Sequence, residues 1–306
     1  MYEYASTRVP LRHLSENPGV LAVISQTLGT SYRTVGTMMA FLPEGRRVGS
    51  LSSGCIEDDI AEHATSALKT GQARSLRYGI GSPFFDLKLP CGGGLSILLV
   101  PNPEQALLRQ VLSLGQDRQV AHLSIGLTDG DLHLLDAAAD IDGRLLVTIQ
   151  PELRLWVYGH GVEAIAFAAM THAAGYDVTL FGQQNLQADL SRLDAPKVLA
   201  VPSFRTYTCP VPDNRTAITL FFHDHENEAR LLSQFLPTDA FFIGAQGSLN
   251  ARNRLLADLR GMGVTEDHIA RLRPDFGLIP SCRDPRSLAV SVMAHVLSTA
   301  DPGQAR

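Results

Sequence analysis

The chain comprises 306 residues, 45% hydrophobic and 19% charged, with a formal net charge of -5. That length provides for two domains with separate cores, and the acidic balance argues against nonspecific nucleic-acid binding. No apolar run approaches the roughly 20 residues of a membrane span, and the four scattered cysteines, with no secretory leader ahead of them, fit a reducing cytoplasm better than a disulfide framework.

Residues 20–25 read as a strand, and residues 37–42 and 47–51 flank Pro43-Glu44-Gly45-Arg46, a hairpin turn. From Ile56 to Leu68 apolar residues recur at helical spacing, with Glu57, Asp58 and Asp59 in the first turn, where they suit the helix dipole. This places Gly54 and Cys55 in the turn at a helix N-terminus, a setting that stabilises a thiolate or a bound anion. Glu57, two residues on, could serve Cys55 as an acid–base partner. Arg33 and Arg47 are candidate charges for a phosphorylated ligand, and surface exposure explains them equally well.

Further strands are expected at 75–78 and 95–100, with Cys91-Gly92-Gly93-Gly94 between them. Three glycines cannot fill a core; they permit tight turning and leave amides able to face a ligand. A helix at 104–114 and strands at 120–124, 132–135 and 144–149 complete a mixed α/β domain over residues 1–152.

From residue 153 the rhythm changes to α/β. Strands at 155–158, 176–181, 197–201, 217–222 and 240–243 alternate with helices at 162–174, 226–236, 249–262 and 285–297. The expected architecture for 153–306 is a Rossmann-like doubly wound parallel sheet. Gly159-His160-Gly161 opens the pattern Gly159-x-Gly161-x-x-Ala164, a dinucleotide fingerprint between strand and helix. The same small residues could equally just tighten the corner. The second strand should end in an acid for the ribose hydroxyls, and here it runs into Gly182-Gln183-Gln184. Bound NAD(P) is therefore weakly supported.

His160 could point into the crevice or cap the surface. His223 and His225 flank Asp224 after an apolar strand and could supply acid–base or metal contact, or form only a polar rim. Gly247 and Ser248 join a strand to a helix, offering a second anion site with Arg252 and Arg254 one turn on, alongside ordinary capping by Ser248. No C-x-x-C pair, phosphate-loop lysine motif or serine nucleophile elbow occurs.

These motifs resemble the XdhC/CoxI family, accessory proteins for xanthine dehydrogenase and related molybdenum hydroxylases. The resemblance runs nearly the whole length in order, through Ser53-Gly54-Cys55-Ile56-Glu57, Cys91-Gly92-Gly93, Gly159-His160-Gly161, His223-Asp224-His225 and Gly244-Ala245-Gln246-Gly247-Ser248. It implies a chaperone with no turnover of its own. Such a chaperone binds molybdenum cofactor (molybdopterin), protects it while a cysteine desulfurase partner serves its sulfuration, and inserts it into a xanthine dehydrogenase-like molybdenum hydroxylase. Family cysteines carry over to Cys55 and Cys91 as cofactor and molybdenum contacts, and a homodimer is compatible with the composition. Departures stand at Tyr32, Ser53, Gly182, Gln184, Phe222 and Glu228. The competing readings are an NAD(P)-dependent oxidoreductase of a small substrate and a partner-binding scaffold.

Overall fold

The structure, a computed structural model, describes residues 8–52, 54, 56–82, 92–182, 196–222 and 227–300. Two compact units divide between residues 151 and 152. Among the described residues no helix is long and apolar enough to cross a membrane.

The front unit is built on an antiparallel sheet of β1 (Val20–Leu28), β2 (Met38–Phe41), β3 (Arg47–Gly49), β4 (Arg74–Gly79) and β5 (Gly94–Pro101), in the order β3-β2-β1-β5-β4. Residues of β1 alternate between faces, as the two-residue period of a strand requires. Val20, Ala22 and Ile24 pack with Ile60, Ala64 and Ala67 of α2 (Glu57–Thr70). Leu21 and Val23 face a second core made by α1 (Arg8–Glu16), α3 (Gln105–Gln116) and a small sheet. That sheet contains β6 (Ala121–Gly126), β7 (Leu132–Leu135) and β8 (Arg144–Ile149), ordered β7-β6-β8. The β2–β3 hairpin turns through Glu44 and Gly45, at φ 62° and 76°, and α2 stops at Gly71, whose left-handed backbone returns its N–H to the carbonyl of Ala67.

The back unit carries a parallel sheet of β9 (Arg154–Gly159), β10 (Asp177–Gly182), β11 (Lys197–Ala200), β12 (Thr216–Phe221) and β13 (Phe242–Ala245). Their order is β11-β10-β9-β12-β13, and a parallel bridge from Ile243 to Leu272 extends the β13 edge. Strand order therefore reverses between β9 and β12, the switch point at which doubly wound sheets open a crevice. Leu155 and Val157 face α4 (Val162–Ala173) and α8 (Pro285–Ala300). Trp156 and Tyr158 face α5 (Glu228–Phe235) and α6 (Leu249–Gly261). Both faces are covered, as parallel sheets require.

The expected fold class holds in both units. The fifth parallel strand lies two residues later than the expected 240–243. Arg271 donates from its guanidinium to the carbonyls of Leu236, Thr238 and Ala240, and this fixes residues 236–240 as a lead-in rather than as strand. The short α7 (Glu266–Ile269) was not expected, although Thr265 caps it by accepting from the His268 amide.

Candidate functional site

In the front unit, Glu57 organises the turn ahead of α2. Its Oε1 accepts from the Ser50 hydroxyl at 3.2 Å and from the amides of Leu51 and Ser52 at 3.2 and 2.8 Å. Its Oε2 accepts from the Ser52 hydroxyl at 2.5 Å and from the amides of Gly54 and Ile56 at 2.9 and 3.3 Å. Burial alone would raise this carboxyl; the Ser52 hydroxyl and the amides of Ser52, Gly54 and Ile56 outweigh it and bring the pKa down to about 2. Glu57 is thus ionised and fully engaged at neutral pH. The acid–base partnership raised from sequence does not fit it, and neither does a free anion cradle at this helix start, because the cradle already holds a carboxylate. Its contribution is to shape the turn.

Gly54 is exposed at φ 102°, a backbone that favours glycine. Gly92 is at φ 70°. Gly93 is glycine for a different reason: an added Cβ would lie 1.9 Å from the Thr30 carbonyl oxygen. Its small size admits a neighbouring backbone. Arg47 pairs with Asp58 at 2.6 Å, so this candidate phosphate charge already has a partner. Cys55, Cys91 and Ser53 lie outside the described residues.

In the back unit, Gly159 has φ 150°, and a Cβ there would come within 2.2 Å of the Phe221 carbonyl oxygen. Close approach of β12 therefore demands glycine with no ligand involved. Gly161, at φ 114°, precedes α4, and Ala164 is fully buried beneath it. The ring of His160 meets Phe222 edge-on at 5.9 Å, and its Nδ1 is buried without a hydrogen-bond partner among the described residues. His223 and His225 lie outside those residues.

A cleft of about 850 Å³ opens at the carboxyl edge of the sheet, along the β13–α6 turn and the strap of residues 274–282. Phe222, Phe276 and Leu288 supply apolar walls, while Gln246, Ser248 and Asp275 bring polar groups. Gln246 is pinned by its amide to the Leu220 carbonyl at 2.9 Å, and its side-chain Oε1 is buried without a partner among the described residues. Ser248 caps α6, accepting from the Ala251 amide at 3.3 Å, and Gly247 beside it is exposed.

Arg252 is a strut here. It donates to the Arg273 carbonyl at 2.7 Å and the Leu272 carbonyl at 3.4 Å, and burial pulls its guanidinium below the usual range against the opposing Asp275. The anion site expected from Gly247, Ser248 and Arg252 thus has its nearer cation committed to the backbone.

The strap is fastened to α8. Ile279 donates to Ser291 Oγ at 2.7 Å, and Gly277, at φ 110°, donates to His295 Nδ1 at 3.4 Å. Asp275, Phe276 and His295 were not singled out from sequence; Pro274 and Pro280 bracketing Gly277 were the available signal of a fixed loop. Among the described residues no group of three or more His, Cys, Asp or Glu is arranged to hold a metal ion.

Two family models match the chain, one for the XdhC and CoxI family over residues 13–79 and one for the XdhC Rossmann domain over residues 155–296. The molybdenum cofactor insertion chaperone PaoD of Escherichia coli (strain K12) is 30% identical over 288 residues, 93% of this chain and 84% of PaoD. The chain belongs to the XdhC/CoxI family. A probable xanthine dehydrogenase subunit from Bacillus subtilis (strain 168) is 22% identical, over 93% of this chain and 94% of that one. A crystal structure described as a xanthine dehydrogenase from Bacillus halodurans shares the fold, with a TM-score of 0.80 at 20% identity over 97% of this chain and 96% of that one. In this XdhC/CoxI member one family match falls in each unit. The first ends on the last residue of β4, and the second runs from β9 into α8.

Proposed function

We propose that this chain is a molybdenum-cofactor chaperone. It holds molybdopterin-bound molybdenum as cargo, keeps it while a cysteine desulfurase serves its sulfuration, and passes it to a molybdenum hydroxylase of the xanthine dehydrogenase type. The observation that carries this reading is the similarity to PaoD along 93% of the chain. Supporting it, the back-unit cleft has the volume and mixed lining of a small-molecule site. Its lining sets Phe276 and Leu288 beside Ser248 and Asp275, a mixture of apolar and polar groups that fits an organic ligand. Cys55 and Cys91 are the proposed molybdenum contacts, since thiols suit a thiophilic metal. Glu57 shapes the turn that carries Gly54 in the front unit.

The oxidoreductase alternative draws on Gly159 and Gly161, yet the packing of Phe221 against Gly159 accounts for that glycine. The cleft, moreover, lies along β12 and β13 rather than over the fingerprint. The test is anaerobic purification of the full chain from a cofactor-producing host, followed by oxidation and fluorescence detection of the released pterin. Pterin approaching one equivalent per chain supports the reading. Pterin at the level of an unrelated control, with a cofactor-dependent 340 nm change on small substrates, would replace it with the oxidoreductase.

A further inference from the structure

We infer that His295 is a proton-operated latch on the strap that walls the back-unit cleft: the neutral ring holds the Phe276–Gly277 stretch in place, and protonation frees it. The inference concerns the wall itself and goes beyond the chaperone reading, since it holds whatever the cleft receives.

Both ends of the strap are tied by groups that do not titrate near neutral pH. Ahead of it, the Arg273 amide donates to the Ile243 carbonyl at 2.9 Å, and Arg252 donates to the carbonyls of Leu272 and Arg273. After it, Asp284 accepts from the amides of Arg286 and Ser287 at 2.8 and 3.3 Å. Between these ties, three successive amides hang on α8. Leu278 donates to the Ser291 carbonyl at 3.3 Å, Ile279 to Ser291 Oγ at 2.7 Å, and Gly277 to His295 Nδ1 at 3.4 Å. Pro274 and Pro280 have no N–H to add.

Of the three acceptors, only the imidazole can take a proton near neutral pH. Donation by Gly277 requires a lone pair at Nδ1, which assigns the ring as the neutral tautomer with its hydrogen on Nε2. A proton arriving at Nδ1 sets two donors against each other and removes the fastening. The Phe242 ring of β13 meets His295 edge-on at 5.1 Å and brings no charge. Arg273 and Asp275 are the charges that act on it, while Glu163 and His172 of α4, the helix packed beside α8, do not shift it. Arg283, Asp284 and Arg286 stand at the opposite end of α8, and the Cys282 thiol on the same wall donates to the Ile279 carbonyl.

Burial, and then Arg273, hold His295 below the ordinary 6.5, against the pull of Asp275. The latch is therefore engaged at neutral pH. Its contribution is complete above the unfolded value and is lost as pH falls through the lowered folded one.

The part it frees is a wall of the cleft. Phe276 directly precedes Gly277, and both line the cavity. The Phe276 ring rests on Phe221 at 5.0 Å, and Gly244 makes its seat, because a Cβ there would meet the ring at 2.9 Å. Ser291 keeps Leu278 and Ile279 fastened in either protonation state, so the loosening is confined to residues 275–277.

The test is amide hydrogen exchange of the full-length chain by NMR between about pH 5 and pH 8, corrected for intrinsic rates, with the His295 ring followed by nitrogen-15 shifts. Losing one hydrogen bond should lower protection at Gly277 about tenfold in acid, while Leu278 and Ile279 stay protected. His295→Asn keeps an acceptor near the position of Nδ1 and cannot be protonated in this range, so its Gly277 protection should be high and flat. Ser291→Ala should weaken Ile279 at every pH and leave the step at Gly277. In the parent, the ring should show the Nε2–H tautomer at neutral pH and titrate with the Gly277 step. An absent step, an equal step in folded His295→Asn, a step shared by the whole back unit, or an Nδ1–H tautomer would each overturn the latch. Should His295→Asn fail to fold, the tautomer and the agreement of the two midpoints decide on the parent alone, and midpoints that disagree overturn it.

Discussion

Tyr78 donates its phenolic hydrogen to Asp59 Oδ2 across 2.5 Å, joining β4 to the first turn of α2. His63 Nε2 approaches the same carboxylate oxygen at 3.6 Å, and Arg74 contacts His63 Nδ1 at 3.3 Å. Along the sequence, the joined segments are those that follow Cys55 and precede Cys91. Burial, and then Asp59, hold the Tyr78 phenol above the usual tyrosine range, so it remains a donor at neutral pH. Tyr78→Phe removes a hydrogen bond to a charged acceptor and should lower stability by about 1–2 kcal/mol, read as a shift in the urea midpoint with an unchanged slope. No shift would mean that the pair contributes nothing to the front unit.

Glu57 makes a pH-dependent contribution whose sign is fixed. Its carboxyl falls from an ordinary 4.5 to about 2 on folding, so the folded state is favoured wherever the unfolded carboxyl is ionised. The contribution, about 3 kcal/mol by linkage, is complete above about pH 5 and is lost as pH falls toward 2. Urea unfolding across pH 2–7 should show Glu57→Gln less stable than the parent at neutral pH, with the gap closing in acid. A gap that stays constant would contradict the carboxylate clamp.

The two glycines Gly159 and Gly247 should behave oppositely. A methyl at Gly159 would collide with the Phe221 carbonyl oxygen, whereas one at Gly247 would meet Ala251 Cβ at an ordinary 3.5 Å. Gly159→Ala should unfold the back unit or cost more than about 3 kcal/mol. Gly247→Ala should melt within a few degrees of the parent. Circular dichroism melts of both variants make the comparison, and equal melts would contradict the packing account of the fingerprint.

Periodicity made the architecture legible: α2 showed itself through Ile56, Ile60 and Ala64, and the back unit through alternating strand and helix lengths. Local turn chemistry was legible too, in Ser248 as a cap. What sequence could not reveal is which partner each side chain finds. Glu57 looked like a proton carrier beside Cys55 because its convergence on six donors, from Ser50 to Ile56, is a property of the folded turn. Arg252 looked like an anion ligand because the carbonyls it serves lie 20 and 21 residues away. Gly159 carried the look of a nucleotide motif for a reason residing on another strand. The cleft walls from Asp275 and Phe276 were invisible for the same cause: they join the site only once the strap fastens to Ser291 and His295.

Arg271 gives a further check on long-range partners. Its guanidinium donates to three carbonyls, those of Leu236, Thr238 and Ala240, ahead of β13. Arg271→Met should cost about 2–4 kcal/mol through orphaned acceptors, and hydrogen exchange should speed first in residues 236–245. Uniform exchange along the back unit would argue that the clamp has no local role.

The most direct test of the chaperone account is transfer. The chain, loaded with molybdenum cofactor and freed of excess, is mixed anaerobically with an apo form of a xanthine dehydrogenase-type hydroxylase, and pterin is followed on both proteins by fluorescence after oxidation. The account predicts that pterin leaves the chain as it appears on the hydroxylase, in matching amounts, and that hydroxylase activity rises with it. Pterin that stays on the chain, or a hydroxylase that gains activity no faster than from free cofactor, would contradict it.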